Sequence, residues 1–220
     1  MDTLFRHAIR TIRDLYPTRI IHTDFLATLN NLTKDKWDKH YSSCSAELPK
    51  AADVLYQNLH LLPSSGNALD LACGRGANAV CLAENGLTVS AWDISTSALE
   101  ILSSIANENK LLINYEARDI ILQPPEPDSF DVIVISNFLE RKLIDTIKGA
   151  VKIKGLIFYQ TFIKAKVDEV GPKKPEYLLN CNELLAFFSD WNILHYKEEG
   201  MTGNTTKGFR NQAMLIAQKP

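Results

Sequence analysis

The stretch LDLACGRGANAV, residues 69–80, constrains this chain more than any other. An apolar run passes directly into a pair of glycines, and a helix-forming run begins at once. A strand joined to a helix by so short a turn is the opening of an α/β unit, in which helices cover a largely parallel sheet. The turn also presents backbone N–H groups to a ligand. Glycine-rich turns hold several kinds of ligand, so the rest of the chain must decide which.

After the punctuation PSSGN the sequence alternates between strand and helix. Expected strands are Ala68 to Cys73, Thr88 to Asp93, Ile113 to Ala117, Phe130 to Ile135 and Gly155 to Phe162. Expected helices are Asn78 to Glu84, closed by Asn85-Gly86, then Ser95 as N-cap of a helix to about Asn109, and Arg141 to Val151. Asn182 to Asp190 reads as a further helix, followed by strands at Trp191 to Glu198 and Phe209 to Gln218. The loop EGMTGNTTKG between those two leaves no room for a crossover helix, so they must pair antiparallel. The predicted fold is α/β and doubly wound. Its seven-stranded sheet is mostly parallel, with one antiparallel strand near the C-terminus and helices on both faces.

Upstream, Leu4, Phe5, Ala8, Ile9, Ile12, Leu15 and Tyr16 share one helical face, and Pro17 ends that helix. The next stretch, to about Lys36, reads as loop or short helix. Residues 1–36 are therefore expected to form a helical appendage that docks on the main body, residues 37–220, or pairs two copies of the chain into a homodimer. A helix from Glu47 to Leu62 is expected to bury Ala51, Val54, Leu55, Leu59 and Leu62.

Composition narrows the function. A formal charge of −2 lacks the basic surplus of a nucleic-acid binder. No apolar run approaches the length of a membrane span, and charges interrupt the N-terminal apolar residues of any leader. The four cysteines, Cys44, Cys73, Cys81 and Cys181, match no zinc or redox spacing. Three fall in predicted buried segments, as expected of small apolar fillers in a reducing cytoplasm. No metal site is expected.

Three ligands compete for the turn. Gly74, Gly76 and Ala79 satisfy the dinucleotide spacing, and Asp93 stands where an acid should end the next strand. Asp70, however, would push against a pyrophosphate, and the terminal hairpin is foreign to a dinucleotide fold. A phosphate loop needs Gly-Lys-Ser/Thr, which Arg75 and Ala77 do not supply. S-adenosylmethionine fits better, because it brings an ammonium group for Asp70, a ribose diol for Asp93 and no phosphate.

On these residues the chain resembles the class I S-adenosylmethionine-dependent methyltransferases over about residues 36–220. LDLACGRGAN resembles their first motif, AWDIS the second and ARDI the adenine-side motif. FDVIVISNFLE resembles the fourth strand and the loop facing the sulfonium. KWDKHY, CGRGAN and YQTF…GPKKPEYLLNCNELL resemble the small bacterial tellurite-resistance-related methyltransferases, with His40 standing where those usually carry Arg. The resemblance implies S-adenosylmethionine as methyl donor, S-adenosylhomocysteine as product and a small-molecule acceptor such as a thiol or a chalcogen oxyanion. It implies a cofactor site of Trp37, Tyr41, Asp70, Ala72, Gly74, Gly76, Asn78, Asp93, Ile94, Ser95, Asp119, Ile120, Ser136, Asn137 and Phe138.

Each position also has a plainer reading. Asp70 and Asp93 could cap helices, Asp119 could organise a turn, and Phe138 could pack in the core. Trp37 and Tyr41, spaced i, i+4, could share a packed face rather than cover a ligand. His195 in its strand reads as structural. On the acceptor side the candidates are Tyr41 and Arg210, the latter with lysines from the segment 163–181. The plain alternative for Arg210 is an ion pair with Glu198 or Glu199. No general base stands out, which suits a nucleophile that needs none. Two other classes stay open: a non-catalytic module that keeps the cofactor pocket, and a nicotinamide-dinucleotide oxidoreductase.

Overall fold

The computed structural model describes residues 19–45 and 47–220, with side chains from residue 31 onward. The expected helix over residues 4–16 lies outside the described residues.

The first described element is α1 (Arg19–Ser42). It runs unbroken across position 36, where the sequence suggests loop or a short helix. The span holds neither glycine nor proline, so nothing in it stops a helix once started. The expected helix at 47–62 is instead a single turn, α2 (Asp53–Tyr56), followed by a 3₁₀ turn at Leu59–Leu61. Pro49 disfavours helix before it. The amides of Ala52 and Val54 then find partners in the body of the protein: Asn78 Oδ1 at 2.9 Å and Gln160 Oε1 at 2.8 Å.

Strand and helix then alternate as expected: β1 (Asn67–Leu71), α3 (Ala77–Glu84), β2 (Thr88–Asp93), α4 (Thr96–Glu108), β3 (Ile113–Ala117) and β4 (Phe130–Ser136). A 3₁₀ turn at Arg141–Leu143 leads into α5 (Ile144–Ala150), and β5 (Val151–Phe162) begins four residues before Gly155. The remainder is α6 (Glu183–Phe187), β6 (Asn192–Lys197) and β7 (Gln212–Gln218). β7 starts later than expected because Asn211 takes a left-handed backbone, φ 68°.

The seven strands form one sheet in the order β3-β2-β1-β4-β5-β7-β6. β1 to β5 pair in parallel, and β7 runs antiparallel to both β5 and β6. The sheet is thus doubly wound with a single reversed strand. The pleat divides its side chains between two cores. Leu69, Leu71, Ile133, Ile135, Ile157 and Tyr159 face α5 and α6. Ala68, Val132, Val134, Phe158 and Ile216 face α2, α3 and α4. Full burial of each larger aliphatic is worth about 1.5–3 kcal/mol. The order reverses between β1 and β4, and that switch point opens a crevice at the carboxyl ends of the strands.

Candidate functional site

Residues 72–76 form the floor of the crevice. Ala72, Gly74 and Gly76 all take positive φ (55°, 53° and 78°), which bends the chain sharply out of β1. The two glycines serve different neighbours. A Cβ on Gly76 would lie 2.4 Å from the buried Leu102 of α4, so that glycine lets helix and turn pack closely. A Cβ on Gly74 would lie 2.6 Å from the Tyr41 hydroxyl, so α1 lays its last aromatic directly over the turn.

Asp70 is completely buried. Its Oδ2 accepts from the Ala79 amide at 3.0 Å and its Oδ1 from the Asn78 side-chain amide at 3.3 Å. Burial pushes the carboxyl up to about 7, against the pull of those two hydrogen bonds. The helix-capping reading is the one its geometry satisfies. Asn78 joins this group to the crevice wall by donating to Ser136 Oγ at 3.0 Å.

Asp93 ends β2 and locks the turn in place. Its two oxygens accept from the amides of Gly74 (2.7 Å) and Ser95 (2.8 Å). Burial raises its pKa, and the backbone hydrogen bonds oppose that. Each carboxylate oxygen keeps a second lone pair. Ser95 caps α4 through Ala98, and Ile94 lies half-buried between these two. Asp119 follows β3. One oxygen accepts from Ile121 N at 2.8 Å, while Oδ2 is buried with no hydrogen-bond partner among the described residues. Ile120 beside it is buried.

Ser136 ends β4 at the switch point, and Asn137 follows it. Asn137 is exposed and left-handed, φ 57°, and Phe138 is half-buried against the core, with its carbonyl accepting from Tyr159. Trp37 and Tyr41 stack at 6.0 Å with His40 edge-on to both, so the i, i+4 pair shares a face as expected.

Several residues that organise the site escaped the sequence reading. Asp38, inside KWDKHY, accepts from Ser95 Oγ at 2.7 Å and Ser97 N at 3.1 Å and pairs with Lys34. Burial opposes its ionisation, but the hydrogen bonds from Lys34, Ser95 and Ser97 prevail and lower its pKa to about 2. Arg75 donates to the carbonyls of Ser45 and Glu47, both at 2.9 Å. Gln160 and Gln212 carry a relay from Val54 to Asn137. A polar Gln160 within the apolar run GLIFYQTF was the available signal for that relay.

Arg210 is held by its own loop. Its guanidinium donates to the carbonyls of Lys207 (2.6 Å), Gly200 (2.9 Å), Thr202 (2.9 Å) and Asn204 (3.0 Å), and lies 3.6 Å from Glu199. It closes its own loop, where the plain reading placed it. Of the cysteines, only Cys73 is buried; Cys44 and Cys81 are half-buried and Cys181 is exposed.

The sheet order, the single reversed strand and the acids ending β2 and following β3 define the α/β fold of the S-adenosylmethionine-dependent methyltransferases. Residues 33–214 match the family described as Tellurite resistance protein TehB, and the chain belongs to that family. The crystal structure of TehB from Haemophilus influenzae superposes with a TM-score of 0.63 at 24% identity, covering 84% of this chain and 67% of that one. An S-adenosylmethionine-dependent methyltransferase from Mesorhizobium loti superposes with a TM-score of 0.58 at 16% identity, covering 76% and 98%. A ubiquinone biosynthesis O-methyltransferase of Coxiella burnetii is 25% identical over 146 residues, covering 64% of this chain and 62% of the relative. The chain thus spans about three-fifths of the length of that curated relative.

Proposed function

We propose that this chain transfers a methyl group from S-adenosylmethionine to a small-molecule acceptor. The observation that carries the reading is Asp119 Oδ2, a buried carboxylate oxygen with no partner among the described residues, two residues beyond Ala117, which pairs with Asp93 at the carboxyl end of β3. A buried acceptor without a donor is costly, and the exocyclic amine of adenine is a donor of the required kind. Asp93 would take the ribose hydroxyls on its remaining lone pairs, and Tyr41 and Trp37 would cover the ligand from α1. Asp70 would act through the Asn78–Ser136 network rather than by direct contact, since it is completely buried beneath the turn.

The same geometry counts against a dinucleotide. Asp70 satisfies the Ala79 amide at the start of α3, one of the helix N-terminal donors that would otherwise receive a pyrophosphate. The bound cofactor supplies a methyl group on a sulfonium, already activated for displacement. What remains for the protein is to align the nucleophile and exclude water. The family description and the O-methyltransferase relative support acceptors that include chalcogen oxyanions and hydroxyl compounds.

The test is calorimetry with S-adenosylmethionine, S-adenosylhomocysteine and NAD, followed by product analysis across an acceptor panel. Tight binding of the first two is expected. Asp93→Ala should weaken it by about 1.5–3 kcal/mol, the size of a charge-assisted hydrogen-bond loss. Tighter binding of NAD, or an unchanged affinity in folded Asp93→Ala, would refute the assignment. Binding without turnover of any acceptor would point to a non-catalytic module.

A further inference from the structure

We infer that Asn137 holds an oxygen atom of the methyl acceptor through its side-chain N–H groups. The inference rests on the methyl-transfer reading and deepens it. Its warrant is a hydrogen-bond relay whose direction is fixed from one end. The backbone amide of Val54 can only donate, and it donates to Gln160 Oε1 at 2.8 Å. That commits the Gln160 amide nitrogen to donate onward, to Gln212 Oε1 at 2.7 Å. Gln212 must in turn donate to Asn137 Oδ1, at 2.6 Å. With its oxygen turned to Gln212, Asn137 is fixed in orientation and presents its NH₂ group on the other side. That group has no protein partner among the described residues, and Asn137 is exposed.

Position gives this donor its meaning. Asn137 follows Ser136 at the carboxyl end of β4, beside the switch point with β1, and Ser136 is joined to Asn78 of the glycine turn. Its backbone is held as well, because Asn137 N donates to Gln160 O at 2.9 Å. The relay therefore fixes an amide donor at the mouth of the crevice, anchored on β5 and β7. An amide donor complements an oxygen lone pair, and the oxygen can belong to an oxyanion or to a hydroxyl compound. It does not require the acceptor to be charged.

Asn137→Asp is the informative variant. A carboxylate still accepts from Gln212, so the relay survives, but the outward group becomes an acceptor. Gln212→Leu breaks the relay instead. Calorimetry with S-adenosylhomocysteine comes first, on the full chain and both variants, so that every probe is then read at saturating S-adenosylhomocysteine. Failure of the wild type to bind would withdraw the methyl-transfer reading and this inference with it. Selenite, tellurite and phenol are then titrated separately into the S-adenosylhomocysteine complex. The Asn137 side-chain amide signals, identified by their absence in Asn137→Asp, are followed by nitrogen-15 NMR. At least one probe should shift them saturably, and Asn137→Asp and Gln212→Leu should each weaken that probe tenfold or more. The oxyanion and hydroxyl arms separate the two sources of oxygen. Asn137 signals unmoved by all three probes, or equal probe affinity in wild type and Asn137→Asp, would overturn the inference.

Discussion

Asp70 shows how one buried residue can shape both stability and binding. In an unfolded chain an Asp carboxyl ionises near 4; in the folded protein this one keeps its proton up to about 7 because burial removes it from water. The folded state therefore binds more protons than the unfolded state between roughly pH 4 and 7. Stability attributable to Asp70 falls as pH rises through that window and is constant above it. The effect is on the order of a few kcal/mol at most. Asp70→Asn should flatten the pH dependence of the urea midpoint over that range. An unaltered slope in the variant would mean that the carboxyl does not titrate there. For a cationic ligand the consequence has the opposite sense: a proton retained on Asp70 withholds a negative charge from the crevice below pH 7.

At the scale of elements, α1 is tied to the site by a cap from outside. Asp38 does for the N-terminus of α4 what a neighbouring N-cap side chain does, accepting from Ser97 N and Ser95 Oγ. Its lowered pKa makes the contribution full above about pH 4 and lost as pH falls through about 2. Asp38→Ala should cost about 1 kcal/mol at neutral pH, with a smaller difference near pH 2, measured by urea unfolding. Hydrogen exchange over residues 34–42 should quicken in the same variant. No change in either measurement would leave α1 held by its packing and by the bonds of Lys34 and Ser42 to Thr96 and Ser97. This tie was not legible in the sequence, since Asp38 joins residues 57 to 59 positions apart and no local pattern encodes such a pairing. The sheet was legible because apolar runs, Gly turns and loop lengths are local signals, and the reversed β7 followed from one short connection. The ends of elements were less legible, because their partners are distant: Asn78 and Gln160 start α2, and Arg210 closes the loop before β7. The acids at the strand ends could be read from their motifs, but which of their oxygens stay free could not.

Across the whole molecule we propose two covers for the crevice, which differ in how firmly they are held. α1 brings Trp37 and Tyr41 over the glycine turn, with Trp37 still 36% exposed. The segment 163–181 crosses from β5 toward α6. Its ends are pinned: Ile163 and Leu179 form a parallel bridge, Lys164 N donates to Leu179 O, and Arg141 holds Glu183 and the carbonyls of Glu176 and Leu178. Asn211 accepts from the amides of Val167 and Asp168. Between those anchors, residues 169–175 are mostly exposed and are held chiefly by Lys166 reaching the carbonyls of Val170 and Pro172 and by Gly171 against Phe162. Methyl transfer requires water to be excluded, and covers that close over a bound ligand commonly move on microsecond to millisecond timescales. The part free to close is the middle of the segment, because its ends already carry native hydrogen bonds. Hydrogen exchange with S-adenosylmethionine and an acceptor analogue both present should therefore show added protection at residues 169–175 and 37–41, with little change at 167–168 and 178–181. Protection gained uniformly along 163–181 would indicate general stabilisation rather than closure. No gain at 169–175 would make the segment a fixed wall, leaving α1 as the only moving cover.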